Sequence, residues 1–444
     1  MNKTETTQQI EKAFIEFEKI SNSTDPDWIK SIRKESLDIA NTLGVPIARR
    51  GNEEWKYTDI RSLSKNFFTE FSPYNLNQTH NEINKENLLV DSLHEKIIFK
   101  DGICITQMFQ KDSYVSNIVT VNEIPSENNA IVKTYLGKIT DIQENFFAAL
   151  NTTFFSFGTF IYIPENTIVS KPIHISIETT NKSENNTMNP RILIVLGSNS
   201  KATIIEEYFG IGDKEYLSNS VIEITIGENA NLEHYRIQNE SLESYGITNT
   251  TVWINSSGHY ESTVVDIGGK LVRNNLNVIT KQEKASAKLN GIYIVNGKQH
   301  IDNQVIIDHA MPNTNSRELY KGILSDHSKS VFHGSIIVRE GAHKVDAHQV
   351  DKNLLLSDDA EADTKPAFWI YCDDVKCGHG AACGKIDESA MFYLQSRGIP
   401  EIQARSILIY AFANEIITEI SNQFVREYVE EFVQNKLESL IGIT

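Results

Sequence analysis

From residue 154 to residue 371, about 218 positions, the chain carries short β-type runs every 10 to 15 residues and no helical periodicity. Examples are 191–196, 202–208, 221–226, 232–237, 287–295, 300–307 and 330–338, each rich in Val, Ile, Leu and aromatic residues. A two-sheet sandwich uses roughly 100 to 150 residues of such a pattern, so the length favours a stacked parallel β-helix, with a sandwich or barrel as the alternative. At roughly 20 residues per coil, on the order of ten coils are expected. Small or polar turn clusters precede several runs, as in Gly197-Ser-Asn-Ser-Lys-Ala202, Gly227-Glu-Asn-Ala-Asn-Leu232, Lys284-Ala-Ser-Ala-Lys-Leu289 and Gly341-Ala-His-Lys-Val345. The first two lie 30 residues apart but the later intervals are irregular, so a repeat is suggested without being demonstrated.

The flanks read differently. Ile10, Phe14, Phe17 and Ile20 recur at the helix period. A second helix is expected with Asp25 as N-cap, Pro26 in its first turn, apolar positions at Trp28, Ile32, Ile39 and Leu43, and a stop at Gly44 and Pro46. An Asn-rich stretch at 75–87 reads as a surface connection, and 96–100 with 103–107 as a strand pair around Asp101-Gly102. At the other end, Ile402, Ile409, Phe412, Ile416 and Ile420 form one helical stripe, and Val425, Tyr428, Val429, Phe432, Val433, Leu437 and Leu440 another. Two such helices either cap the open end of a solenoid or dock a partner.

Charge and cysteine content narrow the function. The formal charge of −17 argues against a nucleic-acid or anionic-lipid surface, whose affinity comes from clustered Lys and Arg. Four cysteines in 444 residues are no disulfide framework, and the start Met-Asn-Lys-Thr-Glu-Thr lacks an apolar stretch, so a reducing cytoplasm is expected. Residues 145–164 are uncharged, but the polar Asn151-Thr152-Thr153 and the alternation at Phe160, Tyr162 and Pro164 predict a helix running into a strand, not a membrane span.

Three of the four cysteines, Cys372, Cys377 and Cys383, fall within twelve residues that also hold His379; Cys104 stands apart and is expected in the core. On an extended strand Cys377 and His379 leave the same face, two residues apart, and could meet one metal, with Cys372 pointing the other way. No Cys-x-x-Cys knuckle is present, and the plant-type iron–sulfur spacing fails because position 380 is Gly. Three readings stand: a two-ligand half-site completed by another chain, a buried thiol beside a hydrogen-bonded histidine, or a zinc site of Cys372, Cys377, His379 and Cys383, which the spacing disfavours. No Walker A pattern occurs, so any ATP hydrolysis belongs to another subunit. His333 and His348 read as structural, and the adjacent pairs Asp358-Asp359 and Asp373-Asp374 as turn residues. A polysaccharide-cleaving β-helix enzyme needs converging acids that this pattern does not supply.

The block Asp308-His-Ala-Met-Pro-Asn-Thr-Asn-Ser-Arg-Glu-Leu-Tyr-Lys321 is followed by Val331-Phe-His-Gly334, His348-Gln349 and Asn353-Leu-Leu-Leu-Ser-Asp-Asp-Ala360. Then come Asp374-Val-Lys-Cys-Gly-His-Gly-Ala381 and Phe392-Tyr-Leu-Gln-Ser-Arg-Gly-Ile399. In this order they resemble the SufD family of the SUF iron–sulfur cluster assembly machinery, with weaker matches at Glu54-Trp-Lys-Tyr-Thr58 and 146–172. The resemblance implies a mainly β fold: a right-handed parallel β-helix over 151–385, between a mostly helical domain at 1–150 and a helical, ATPase-docking domain at 386–444. It implies a non-catalytic scaffold that pairs through its β-helix with a SufB-like paralogue and through its C-terminal helices with a SufC-like ABC-type ATPase. A homodimer of the isolated chain is compatible with it. A transient iron–sulfur cluster, shared with the partner, is held by His379, with Cys377 beside it; reduced flavin is a further cofactor considered for the complex. SufB is the nearest competitor, but it carries a Glu-His-Glu-type segment where this chain has Cys-Gly-His-Gly-Ala at 377–381. Cys372 and Cys383 depart from the usual SufD pattern and are not expected to contribute.

Overall fold

All seven of these β-runs lie in strands that pair in parallel with the coils before and after them. The structure is a computed structural model that describes residues 3–21, 26–48, 52–61, 63, 67–68, 71, 95–104, 115–117, 126–155, 158–180 and 186–441. Its strands form one ten-stranded and one eleven-stranded sheet, facing each other in a β-solenoid of about eight turns. Antiparallel pairing occurs only at the start, between Glu95–Lys100 and Ile103–Cys104 and between Val115–Asn117 and Gly158–Ile163, among the described residues. The strand Glu95–Lys100 also pairs in parallel with Ile173–Thr179, so it continues the ten-stranded sheet and is no separate hairpin. Residues 75–87 and 105–107 and the side chain of Cys104 lie outside the described residues.

The coils are longer and fewer than the sequence suggested, because each holds two strands of about ten residues. One corner shows the repeat directly. Asn166, Asn199, Asn229, Ser257, Lys284, Asn313 and Lys344 all have φ between 54° and 60°, one per coil, with Ser257 and Lys284 the closest pair at 27 positions apart. Each of their backbone N–H groups donates to a carbonyl in the turn above, as from Asn199 to Glu228 at 2.8 Å and from Asn313 to His343 at 2.8 Å. Asn tolerates this left-handed backbone better than most residues, and its amide adds a ladder: Asn229 donates to Asn199 and Asn199 to Asn166, at 3.3 and 3.0 Å. The irregular turn theme is this corner.

Both faces of the central strands are covered. Inside, Ile194, Ile204, Ile224, Leu232, Val252, Leu289 and Ile307 form a continuous apolar core, each fully buried and worth about 1.5–3 kcal/mol. Outside the eleven-stranded sheet, Phe146–Phe154 shares an apolar cluster with Leu217, Tyr245, Ile247 and Leu271, and Lys3–Ser21 packs on that helix through Phe14 and Phe17 against Phe154. Strand Tyr216–Ile226 is therefore buried at every position, which is why an apolar-polar alternation was weak in the sequence. Residues 145–164 are indeed a helix, Phe146–Phe154, running into the strand Gly158–Ile163, and no helix of the described residues is long and apolar enough to cross a membrane.

Details of the flanks differ from expectation. The second helix, Asp27–Leu43, has Pro26 as its N-cap residue without a side-chain cap, while Asp25 lies outside the described residues; Gly44 ends it with φ 68°. The C-terminal segment holds three helices, Glu388–Ser396, Glu401–Ile417 and Gln423–Ile441. The last two do not cap the solenoid: Ile409, Ile416, Val425, Val429 and Val433 pack on Ile205, Ile237, Ile292 and Ile323, along the outer face of the ten-stranded sheet. Ile402, expected in the buried stripe, is 59% exposed, and Ala404 and Ala413 take the buried face instead.

Candidate metal centre

With the helices on its flank, the solenoid ends in an open coil. Its last strand, Val375–Gly384, pairs only with Val345–Leu355 among the described residues, in the register Ala347 with Cys377 and Gln349 with His379. Strand alternation puts Cys377, His379, Ala381 and Cys383 on the face that continues the interior rows Ala347, Gln349, Asp351 and Asn353. Cys377 and His379 therefore share a face, as their spacing predicts. Cys377 is half-buried against Ile336, Val338, Val345 and Ala347, and that burial raises its thiol pKa, with a smaller rise from the Asp346 carboxylate. His379 is exposed, and its ring lies on Phe368 with centroids 4.4 Å apart. Cys383 is exposed farther along the strand.

Behind His379 runs a polar interior row. Glu318, Gln349 and His379 are successive register partners, and neither the Glu318 carboxyl nor the Gln349 amide has a hydrogen-bond partner among the described residues. Burial, with the Asp351 carboxylate nearby, holds the Glu318 carboxyl well above the usual carboxylate range.

Cys372 lies outside the strand, in the turn before it. It packs on the same apolar cluster as Cys377 instead of pointing away, and its Sγ is 3.3 Å from His343 Nδ1. Sequence reasoning passed over His343. The signal available was the separation of 29 positions between His343 and Cys372, about one coil. The remaining candidates have partners: His333 Nδ1 meets Gln304 Oε1 at 2.9 Å, His348 Nε2 meets Asp346 Oδ1 at 3.2 Å, Asp358 pairs with Lys385, and Asp359 with His327.

Two family models cover nearly the whole chain: the SUF system FeS cluster assembly SufBD core domain matches residues 178–412, and the SufBD protein N-terminal region matches 4–175. The chain belongs to the SufBD family. It is 30% identical over 410 residues to an iron-sulfur cluster assembly SufBD family protein of Synechocystis, covering 90% of this chain and 89% of that protein. It is 29% identical over 381 residues to the iron-sulfur cluster assembly protein SufD of Escherichia coli, with 85% and 86% covered. To SufD of Bacillus subtilis it is 23% identical over 418 residues, with 89% and 91% covered. The SufBD core match contains the terminal strand with Cys377 and His379, and the N-terminal match contains the Trp55 segment. That segment is docked on the eleven-stranded sheet: the Arg273 guanidinium lies 3.9 Å from the Trp55 ring centroid, and Arg273 pairs with Asp302 at 2.6 Å.

Proposed function

We propose that this SufBD chain is a SufD-type scaffold subunit, without catalysis of its own, that offers His379, with Cys377 beside it, to a nascent iron–sulfur cluster shared with a SufB-like paralogue. The observation that carries this reading is the last coil. A strand edge unpaired among the described residues presents a thiol and an imidazole on one face, and Trp369, Ile370 and Tyr371 beside it are 55%, 38% and 60% exposed. Two ligands are too few for a cluster, which takes four in its common forms, so the remaining ligands come from another chain. A free edge is also a template for pairing with a second strand. Because burial raises the Cys377 thiol pKa, the thiol must release its proton when iron binds, making capture by that residue weaker at low pH.

The Cys-Gly-His-Gly-Ala form at 377–381 favours the SufD role over the SufB role. A second exposed apolar set, Phe392, Tyr393, Ile402 and Ile407, lies on the first two C-terminal helices and suits a SufC-like ATPase. Nucleotide-driven movement of that ATPase would pass to the solenoid through Ile409 and Ile416, which pack on the ten-stranded sheet.

The test is co-purification at native expression followed by cluster reconstitution. SufB-like and ATPase chains are expected to accompany this one, and His379→Ala is expected to abolish cluster formation in the assembled complex. Unchanged assembly by His379→Ala would refute the site, and recovery of the chain only as a homodimer would refute the heteromeric scaffold.

A further inference from the structure

Two stacked corner turns bring together three donors outside the half-site. The turn between strands Lys329–Val338 and Val345–Leu355 supplies His343, and the turn before Val375–Gly384 supplies Cys372 and Asp373. Their ligand atoms all lie within 4.8 Å of one another, and Cys372 Sγ is 3.3 Å from His343 Nδ1. Donors around one tetrahedral ion sit roughly 3.3–3.8 Å apart, given bond lengths of about 2.0–2.3 Å. The Cys–His pair already meets this spacing, and the exposed Asp373 side chain closes the rest by rotation.

The turns are held in place by their backbones. Tyr371 N–H donates to Val338 at 2.9 Å and Lys344 N–H to Asp374 at 2.6 Å, with Lys344 in the left-handed corner conformation at φ 59°. Cys372 is half-buried on the apolar cluster of Ile336, Val338 and Ala342, which fixes its thiol, while His343 and Asp373 are exposed and leave an entry path. A recess of about 610 Å³, bordered by Glu340 and Tyr371, opens over the three donors.

We propose that His343, Cys372 and Asp373 form a second metal site on this chain, for a divalent transition ion of borderline softness such as Fe²⁺ or Zn²⁺. A sulfur, nitrogen and oxygen set disfavours Mg²⁺ and Ca²⁺, and three protein ligands leave a position open for exchange, unlike a closed four-ligand structural site. On binding, the Cys372 thiol proton passes to solvent, the thiolate takes the ion, and neutral His343 gives its Nδ1 lone pair. The proposal is independent of the role of His379.

The test is an anaerobic titration of the full chain with Co²⁺, read by thiolate-to-cobalt charge-transfer absorption. A double variant, Cys377→Ser with His379→Ala, is expected to retain a one-equivalent band. Cys372→Ser in that background is expected to lose the band, and His343→Gln to weaken binding by about tenfold or more, with far-ultraviolet circular dichroism unchanged in each. Competition with Zn²⁺ and Fe²⁺ then ranks the ions. No band in the double variant, or a band that survives Cys372→Ser or is indifferent to His343→Gln, overturns the site.

Discussion

The imidazole of His379 and the ring of Phe368 lie with centroids 4.4 Å apart and planes inclined at 36°, joining the last strand of one sheet to the last strand of the other. Phe368 belongs to Ala367–Ile370, which pairs with Lys329–Val338, so the contact fixes an otherwise exposed ring across the mouth of the solenoid. If His379 holds the cluster as proposed, Phe368→Ala is expected to lower cluster assembly by about tenfold, as loss of a ligand-orienting neighbour does, with the terminal strand intact. Reconstitution kinetics read the effect, and Phe368→Tyr should restore it.

Arg191 and Glu223 form a fully buried ion pair at 2.5 Å, both at 0% exposure. Glu223 also accepts from the backbone N–H groups of Gly137, Ile139 and Thr140, and Arg191 donates to Asn151 and Thr152, so the pair ties the segment before the solenoid to its outer face. Removing one partner leaves the other charge buried alone. Glu223→Ala is expected to cost roughly 3–5 kcal/mol in urea denaturation, far more than loss of the exposed pair Arg61–Asp59.

Stability should fall as pH rises from mildly acidic to neutral. Burial raises the Glu240 carboxyl from the ordinary 4.5 to about 7, and burial raises Asp351 to about 6. Each raised carboxyl binds its proton more tightly when folded, so stability is lost between the unfolded value and the folded one. Glu240→Gln keeps an acceptor for the Gln238 amide and removes this titration. Its unfolding free energy should vary less between pH 4.5 and 7 and exceed that of the parent at neutral pH, by roughly 1–3 kcal/mol, as read by chemical denaturation.

Gly291 and Gly322 each face a tyrosine in the adjacent coil. A Cβ at Gly291 would meet Tyr320 Cε1 at 2.2 Å, and one at Gly322 would meet Tyr293 Cε2 at 2.2 Å, in the register Gly291 with Tyr320 and Tyr293 with Gly322. The glycines make room for rings inside the solenoid. Gly291→Ala is expected to cost about 1–3 kcal/mol by overpacking, and less when combined with Tyr320→Leu; a double-mutant cycle by chemical denaturation measures the coupling.

Much of the fold was legible because its signals are local. The runs at 191–196 and 300–307, the helix that ends in Phe154, and the stripe Val425, Val429, Val433 and Leu437 follow from β-branched content and helix period alone. Coil length was misjudged because strands such as Tyr216–Ile226 are buried on both faces, which erases the alternation that marks strand limits. The role of the C-terminal helices was ambiguous because an amphipathic stripe states that a face is buried, not against what. Ile402 shows the limit: its spacing fits the stripe, yet the helix turns Ala404 and Ala413 to the sheet.

By itself the sequence determined that Cys377 and His379 share one face, since a two-residue spacing on a strand has no other outcome. It also determined the family, through the order of its long motifs. Tertiary structure alone decided that this face lies at the open end of the solenoid against Phe368, and that Cys372 meets His343. Those contacts join residues about a coil apart or in opposite sheets, and their distances are set by how the coils stack, a quantity that no local pattern of residues contains.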